Sequence, residues 1–487
     1  MTLEAQISQI MNHSREAFLT YQDCSGKVKK TFLYTVASEI EALGDELLET
    51  AAAETNLPVL RFAGERERTC NVFRMFGNLV GEGSWVDAVI DHRDADRKPV
   101  HRPEMRKMLI ALGPIVVFGA SNFPLAYATP GGDTASALAA GCTVVVKGHP
   151  LHPKTSRLIA GAFRNALLKN RLPDHIFQLV ESDSFEAGKL LTQHDATAGV
   201  GFTGSLNGGN AILKYAQQRT APIPVFAEMG SINPVVLLPD SLRQHGKAWA
   251  TSFADSVTIG VGQFCTKPGI QLLVKSPESD DYIQCLAESL AQKKVYRMLS
   301  EGIRNNYLEG LNRTLQQKGV SLVYSKTNDA YLNAELAIAK VKGDIFEDNP
   351  QLHKEIFGPF SLIVECSNME QLVEILRRLN GQLTTTIIGT DTDLHQHRNV
   401  VSKARNIAGR IVFNGTPTGV EVANATVHGG QYPATTDPRF TSVGMDAIKR
   451  WVRPVCFQEC PDHLLPEELQ ENNPLGIWRK VDGEFVR

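Results

Sequence analysis

Cys265 sits in Gly260-Val261-Gly262-Gln263-Phe264-Cys265-Thr266-Lys267-Pro268-Gly269, where glycines allow a close backbone approach and a neighbouring N–H can face a developing oxyanion. A thiol in that setting is placed for nucleophilic attack; a buried structural cysteine is the bland alternative and the commonest fate of the residue. Glu228, in Val225-Phe226-Ala227-Glu228-Met229-Gly230, lies in an apolar segment. A carboxylate there is expected to have a raised pKa and to act as a general base, unless a nearby cation pairs with it. Asn122 follows an apolar run in Phe118-Gly119-Ala120-Ser121-Asn122-Phe123-Pro124; its amide can donate to an oxyanion, although Asn before an aromatic residue and Pro is also ordinary turn chemistry. Lys147 ends the run Thr143 to Val146 and precedes Gly148-His149-Pro150, where a cation can reach ribose hydroxyls or phosphate, or simply be solvated. The Gly-rich stretch from Gly201 to Asn210, with Gly204, Ser205 and Gly209, opens a helix-like segment whose N–H groups can hold a phosphate. It fits neither common Gly-rich nucleotide fingerprint.

The elements that must position these residues follow from the patterning. From Ser14 to about Gly81 apolar residues such as Phe32, Val36, Ile40, Leu43 and Leu47 recur at helical spacing. The polar stretch Asp87 to Lys107 is an excursion, a loop or an arm. From Met108 short apolar runs alternate with helix-like segments: Ile115 to Phe118, Thr143 to Val146, Ile176 to Val180 and Ala198 to Phe202 read as buried strands, with Thr134 to Ala140 and Pro153 to Leu167 helical between them. That alternation predicts a doubly wound parallel sheet with a nucleotide site at the carboxyl ends of its strands. A second alternating region, through Gln271 to Val274, Leu362 to Glu365 and Thr385 to Gly389, predicts a second α/β domain. Strand-like Val452 to Gln458 then leads into a Pro-rich, acidic tail.

The chain has 487 residues, enough for two or three domains. Its 50 Lys and Arg against 53 Asp and Glu give no charge excess that would recruit nucleic acid or an anionic membrane. No apolar run approaches the roughly 20 residues of a membrane-spanning helix, and the N-terminus lacks a secretory pattern, so a cytoplasmic protein is expected. The eight cysteines show no disulfide framework, and Cys456, Cys460 and His463 match no common zinc spacing, so no metal is expected.

Phe118 to Pro124, Lys147, Gly201 to Ser205, Ala227-Glu228-Met229-Gly230, Gly262-Gln263-Phe264-Cys265 and Lys354-Glu355-Ile356-Phe357-Gly358-Pro359 occur in the order found in the aldehyde dehydrogenase superfamily, which the chain resembles over nearly its whole length. Asp133 to Cys142, Val412-Phe413-Asn414-Gly415, Pro417 to Val420, His428 to Thr436, Ser442-Val443-Gly444 and Arg450 to Val455 resemble one branch, that of 2,5-dioxopentanoate (α-ketoglutaric semialdehyde) dehydrogenases and NADP-linked fatty aldehyde dehydrogenases. The resemblance implies an aldehyde dehydrogenase-like fold of two doubly wound α/β domains and a small oligomerisation arm. Residues 1–86 and 108–227 would bind NAD(P), residues 228–425 would carry the nucleophile, and 87–107 with 426–487 would form the arm and C-terminal segment. By the same resemblance Cys265 attacks the aldehyde, Asn122 and the Cys265 N–H hold the oxyanion, and Glu228 activates water on the thioester. Lys147 and Glu355 would hold the riboses, Ser205 with Gly204 and Gly209 the pyrophosphate, and Phe357 the nicotinamide end. Phe123 and Arg439 are substrate-side candidates, Arg439 as a clamp for a substrate carboxylate. Lys147-Gly148-His149 carries no Glu to repel a 2′-phosphate, which favours NADP; Glu181, Asp183 and Glu186 keep NAD open. The expected substrate is 2-oxoglutarate semialdehyde, with medium or long aliphatic aldehydes as the alternative. A catalytically silent structural relative is disfavoured because Cys265 and Glu228 are both present. A homodimer or homotetramer is the expected assembly.

Overall fold

The computed structural model describes residues 2–328 and 330–487. The chain opens on helices α1 (Leu3–Tyr21), α2 (Gly26–Ala42), α3 (Gly44–Thr55) and α4 (Val59–Glu82). Thr2 and Ser25 cap the first two by accepting a backbone N–H at the helix start. On α2 the residues Phe32, Val36 and Ile40 bury one stripe, four apart, as the periodicity predicts. Strands β1 (Val89–Asp91) and β2 (Met105–Ala111) follow, paired antiparallel, so the polar excursion between Asp87 and Lys107 is largely a hairpin.

β3 (Ile115–Phe118), α5 (Gly132–Ala140), β4 (Val144–Lys147), α6 (Pro153–Asn170), β5 (Phe177–Val180), α7 (Phe185–Gln193), β6 (Gly199–Thr203), α8 (Leu206–Gln217) and β7 (Val225–Glu228) form a parallel sheet of order β5-β4-β3-β6-β7. Both faces are covered: Ile115, Val117, Val144 and Val146 enter the core beneath the N-terminal helices, while Val116, Val145 and Val200 enter the core beneath α1, α7 and α8. The chain runs outward from β3 in one direction and from β6 in the other. The crevice between their carboxyl ends is therefore the place where a ligand can enter.

The second sheet comprises β8 (Val235–Leu237), β9 (Ile270–Val274), β10 (Ser321–Lys326), β11 (Leu336–Lys342), β12 (Phe360–Cys366), β13 (Gln382–Ile388) and β14 (Ala408–Phe413), in the order β10-β11-β12-β9-β8-β13-β14. It is parallel except for its edge strand β10. Two doubly wound units are thus present, as the alternation predicts. A third sheet, β15-β2-β1-β16-β17, is closed by β15 (Val452–Gln458), β16 (Arg479–Val481) and β17 (Glu484–Val486). The acidic C-terminal stretch therefore ends in strands that its composition does not announce. Among the described residues no helix is long and apolar enough to cross a membrane.

One connection matters for the site. The segment 428–442 returns from the second unit and lies along β7: Met229 N–H donates to the Ala434 carbonyl (2.8 Å), Thr436 N–H to the Ala227 carbonyl (3.1 Å), and Glu228 bridges Thr435.

Candidate active site

Cys265 follows the tight turn Ile259–Gly262, in which Gly260, Val261 and Gly262 all have left-handed φ, near 56°, 58° and 65°. A side chain at Gly262 would overlap the Gly358–Pro359 backbone. Val261 is β-branched, and holding it left-handed costs on the order of 1–3 kcal/mol, sustained by the packing around it. Asn233, itself left-handed at φ 47°, is fully buried and fastens the far side of the turn. Its Nδ2 donates to the carbonyls of Cys265 (2.8 Å) and Lys267 (3.0 Å), while Gln382 accepts from its backbone N–H (3.1 Å). Among the described residues the Cys265 N–H itself has no acceptor.

The thiol meets two groups from distant parts of the chain. Cys265 Sγ lies 3.5 Å from Nε2 of the fully buried His428, and the same Nε2 lies 2.9 Å from Glu228 Oε1 at the end of β7. Ser442 Oγ donates to the other Glu228 oxygen at 2.6 Å. Ligand-type atoms of Glu228, Cys265 and His428 all fall within 4.8 Å of one another. Burial, followed by the Glu228 and Glu355 carboxylates, pushes the Cys265 thiol well above its ordinary range, with Arg410 pulling the other way. The thiol therefore needs a base before it can attack.

Glu228 corrects an expectation. Burial does push its carboxyl upward, but His428, by charge and by hydrogen bond, together with Ser442 and Arg450 outweighs it, and the net shift is below the usual carboxylate range. The sequence around Glu228 shows only apolar neighbours; the polar partners arrive from residues 200 and 214 positions away. The remaining ring nitrogen of His428, Nδ1, is buried and has no partner.

Asn122, at the carboxyl end of β3, is buried, and its Nδ2 donates to the Gln263 carbonyl at 2.8 Å. One amide hydrogen is thus spent orienting the side chain against the turn that carries Cys265, and the other remains for an oxyanion. Arg61 Nη2 holds the Asn122 carbonyl at 2.6 Å. Phe123 stands edge-on to Phe264 and Tyr127, with ring centroids 5.1 and 5.3 Å apart, giving the thiol an aromatic wall.

The carboxyl ends of the first sheet's strands carry several of the residues expected to meet a dinucleotide. The Ser205 side chain caps α8 by accepting from Gly208 N–H, and residues Gly204 to Asn207 are exposed, so the helix start is open to a phosphate. Gly209 packs so tightly on Met229 that a Cβ would collide with its sulfur. Lys147 is half-buried at the end of β4, its ammonium pKa lowered by burial against the pull of Asp183. The pocket beyond it is lined by Gly148, His149, Ser156, Arg157, Glu181 and Asp183, with Arg157 bonded to Glu181 at 2.7 Å. Glu355 stands close to Gly230, within reach of the Cys265 thiol's field, and burial raises its carboxyl pKa against the pull of the buried Lys267. Phe357 is half-buried in the same loop. The donor set fits a nicotinamide dinucleotide.

Arg439 is not brought to the thiol. Its side chain is 78 % exposed and both its Nε and Nη2 are engaged by Asp437. Its short Asp-Pro-Arg turn satisfies the guanidinium locally, so it is withdrawn as a carboxylate clamp. Conversely, the sequence assigns no role to His428, Ser442 or Asn233, although the first two open segments that resemble the branch, since their contacts exist only across the fold.

The whole-chain comparisons agree with this geometry. Residues 2–442 match the model of the aldehyde dehydrogenase family. The chain is 45 % identical over 482 residues to alpha-ketoglutaric semialdehyde dehydrogenase 2 of Azospirillum brasilense, covering 99 % of this chain and 92 % of that one. It is 40 % identical over 490 residues, with the same coverages, to alpha-ketoglutaric semialdehyde dehydrogenase of Acinetobacter baylyi. A variant betaine aldehyde dehydrogenase of Staphylococcus aureus, solved with NAD+, shares the fold with TM-score 0.80 at 16 % identity, covering 94 % of this chain and 90 % of that one. Aldehyde dehydrogenase C of Pseudomonas syringae, solved as a mutant with NAD+ and octanal, shares it with TM-score 0.78 at 18 % identity, covering 93 % and 89 %. The chain belongs to the aldehyde dehydrogenase family, oxidoreductases that convert an aldehyde to its acid.

Proposed function

We propose that this enzyme oxidises 2-oxoglutarate semialdehyde to 2-oxoglutarate, with Cys265 as nucleophile. The observation that carries the chemistry is the convergence of Cys265, His428 and Glu228 within 4.8 Å beside the amide of Asn122. Glu228 removes the thiol proton, and His428 Nε2, 3.5 Å from Sγ, is placed to hydrogen-bond the thiolate. The thiolate adds to the aldehyde carbon. The Asn122 amide, oriented by the Gln263 carbonyl, and the Cys265 N–H, which has no acceptor among the described residues, take the oxyanion. A bound nicotinamide dinucleotide would supply the hydride acceptor for this oxidation, and Cys265 would then hold the acyl group as a thioester. Glu228, once it has released the thiol proton to bulk water and is a carboxylate again, is placed to draw a proton from the water that hydrolyses the thioester. Lys147 and Glu355 would bind the riboses, Ser205 with Gly204 and Gly209 the pyrophosphate, and Phe357 the nicotinamide end.

The substrate assignment draws support from the two semialdehyde-oxidising relatives and is tested by kcat/KM for 2-oxoglutarate semialdehyde against decanal: preference for decanal would overturn it. The aromatic wall of Phe123, Tyr127 and Phe264 supports the second reading, an aliphatic aldehyde, which the same comparison decides.

NADP is the dinucleotide this reading favours. No carboxylate occupies the Lys147-Gly148-His149 turn, and Arg157 lines the adjoining pocket, where a guanidinium can grip a 2′-phosphate. Glu181 and Asp183 in the same pocket favour NAD instead. Steady-state rates with each dinucleotide separate the two. We also place a homodimer or homotetramer on the third sheet, whose strands β15 and β17 are edges; light scattering tests it.

A further inference from the structure

Two guanidiniums near the thiol are not used by this chemistry. Arg68, on α4, donates through Nη1 to the Val420 carbonyl and through Nη2 to the Tyr127 hydroxyl at 2.9 Å. Arg410, on β14, donates through Nη2 to the carbonyls of Pro417 (2.8 Å) and Gly419 (2.9 Å), while its buried Nε has no partner. The loop they share is tied to the catalytic turn, since Gly419 N–H donates to Oγ1 of Thr266, the residue after the nucleophile. Tyr127 in turn stands beside His428, ring centroids 6.2 Å apart. Arg410 thus lies within electrostatic reach of the Cys265 thiol, of Tyr127 and of Arg68, and Arg68 is tied to the same aromatic wall through the Tyr127 hydroxyl.

Their charges are not compensated. Among the described residues neither guanidinium has a carboxylate within ion-pair distance, and carbonyl contacts orient a cation without neutralising it. Glu65, which feels the charge of Arg68, is already committed to the N–H groups of Leu125 and Ala126 and to Arg61 at 3.8 Å. Arg61 itself is occupied differently, bonded to the Asn122 carbonyl and stacked on Phe123 and Phe264. Arg68 and Arg410 are also close enough to repel each other, which adds to the burial that destabilises the Arg410 cation. Two half-buried like charges with free N–H groups are stable together where an anion visits them.

We propose that Arg68 and Arg410 form an anion subsite that grips the distal carboxylate of the aldehyde substrate and so selects short aldehydes that carry an acid at the far end. A five-carbon semialdehyde places its carboxylate roughly 5 Å from the aldehyde carbon, four C–C bonds away. This inference rests on the reading of the site as a semialdehyde oxidase. It adds which residues enforce that choice: a half-buried pair of cations left unpaired by an uncharged chain penalises aliphatic aldehydes, whatever the apolar wall contributes.

The test measures kcat/KM for 2-oxoglutarate semialdehyde and for pentanal, of equal chain length, in the wild type and in Arg68→Met, Arg410→Met and Arg410→Lys. The wild type is expected to prefer the semialdehyde. Each Met variant lowers the preference ratio by about 30-fold or more, chiefly through KM for the charged substrate, and Arg410→Lys recovers part of it. A second readout needs only the wild type: glutarate slows alkylation of Cys265 by iodoacetamide, and neutral pentanamide at the same concentration does not. If the wild type prefers the semialdehyde but the variants keep the ratio, or lose both aldehydes equally as a mere loop scaffold would, the subsite is wrong and the substrate reading stands. If the wild type shows no preference, the substrate reading fails with it. Equal protection by glutarate and pentanamide also overturns the subsite, even if no variant folds.

Discussion

Removing the imidazole of His428 should expose how Glu228 is kept ionised. In the folded protein burial is the largest influence on that carboxyl and pushes its pKa up; His428, followed by Ser442 and Arg450, brings it below the ordinary range. His428→Leu deletes the first of these opposing groups and keeps the site closed. A hydrogen bond to a charged group is worth about 1.5–3 kcal/mol, so its loss should raise the Glu228 pKa and cut the ionised fraction on the acid limb by about 10–100-fold. The sign follows directly: the basic form exists above the pKa, so the wild type keeps deacylation competence far into acid, and the variant loses it at higher pH. Stopped-flow assays resolve the burst of dinucleotide reduction from the steady state and isolate thioester hydrolysis; its rate is followed between pH 4.5 and 8. Circular dichroism establishes that the variant is folded. An acid limb that stays where the wild type has it would refute the argument, since Glu228 would then owe its ionisation to something other than His428.

Cys265→Ser should reduce turnover by more than about 10³-fold and abolish the burst, because the hydroxyl has no comparable route to ionisation beside Glu228. Asn122→Ala should slow the burst itself by about 10²–10³-fold, the usual cost of one oxyanion donor, while aldehyde-independent dinucleotide binding by fluorescence is retained. Arg157→Ala should weaken NADP relative to NAD by about tenfold, measured as the ratio of their Michaelis constants; a ratio that does not move removes Arg157 from the 2′-phosphate site. Arg439→Ala should leave the semialdehyde Michaelis constant within about twofold, since that side chain is exposed and held by Asp437.

Much of this molecule is legible in its sequence. The buried run that became β3 and the strand-like run that became β15 are bounded as the patterning indicates, and β4, β5 and β6 differ by a residue because strand ends are set by partners' register, which the pattern does not carry. Lys147 and the Gly204–Gly209 stretch fall at carboxyl ends of strands, where parallel topology requires ligand groups to lie. His428 could not be found locally. It is 163 residues from Cys265 and reaches it only because segment 428–442 pairs along β7. The same distance hid the partners that reverse the expected shift of Glu228. Arg439 erred in the opposite direction: a plausible cation by type, it is satisfied two residues away by Asp437. The strands β16 and β17, three residues each, are too short for alternation to rise above turn composition.

Asn233 has a consequence for how the enzyme spends its rigidity. By gripping the Cys265 carbonyl, it locks that residue's backbone from the far side, and the N–H at the near side loses its freedom to swing. The donor is then aimed before an aldehyde arrives, and the ordering is done once, as the chain folds, instead of in every catalytic cycle. A loosened anchor should therefore register as a lower attack rate at unchanged aldehyde affinity, a defect in timing with no visible change in the walls of the pocket.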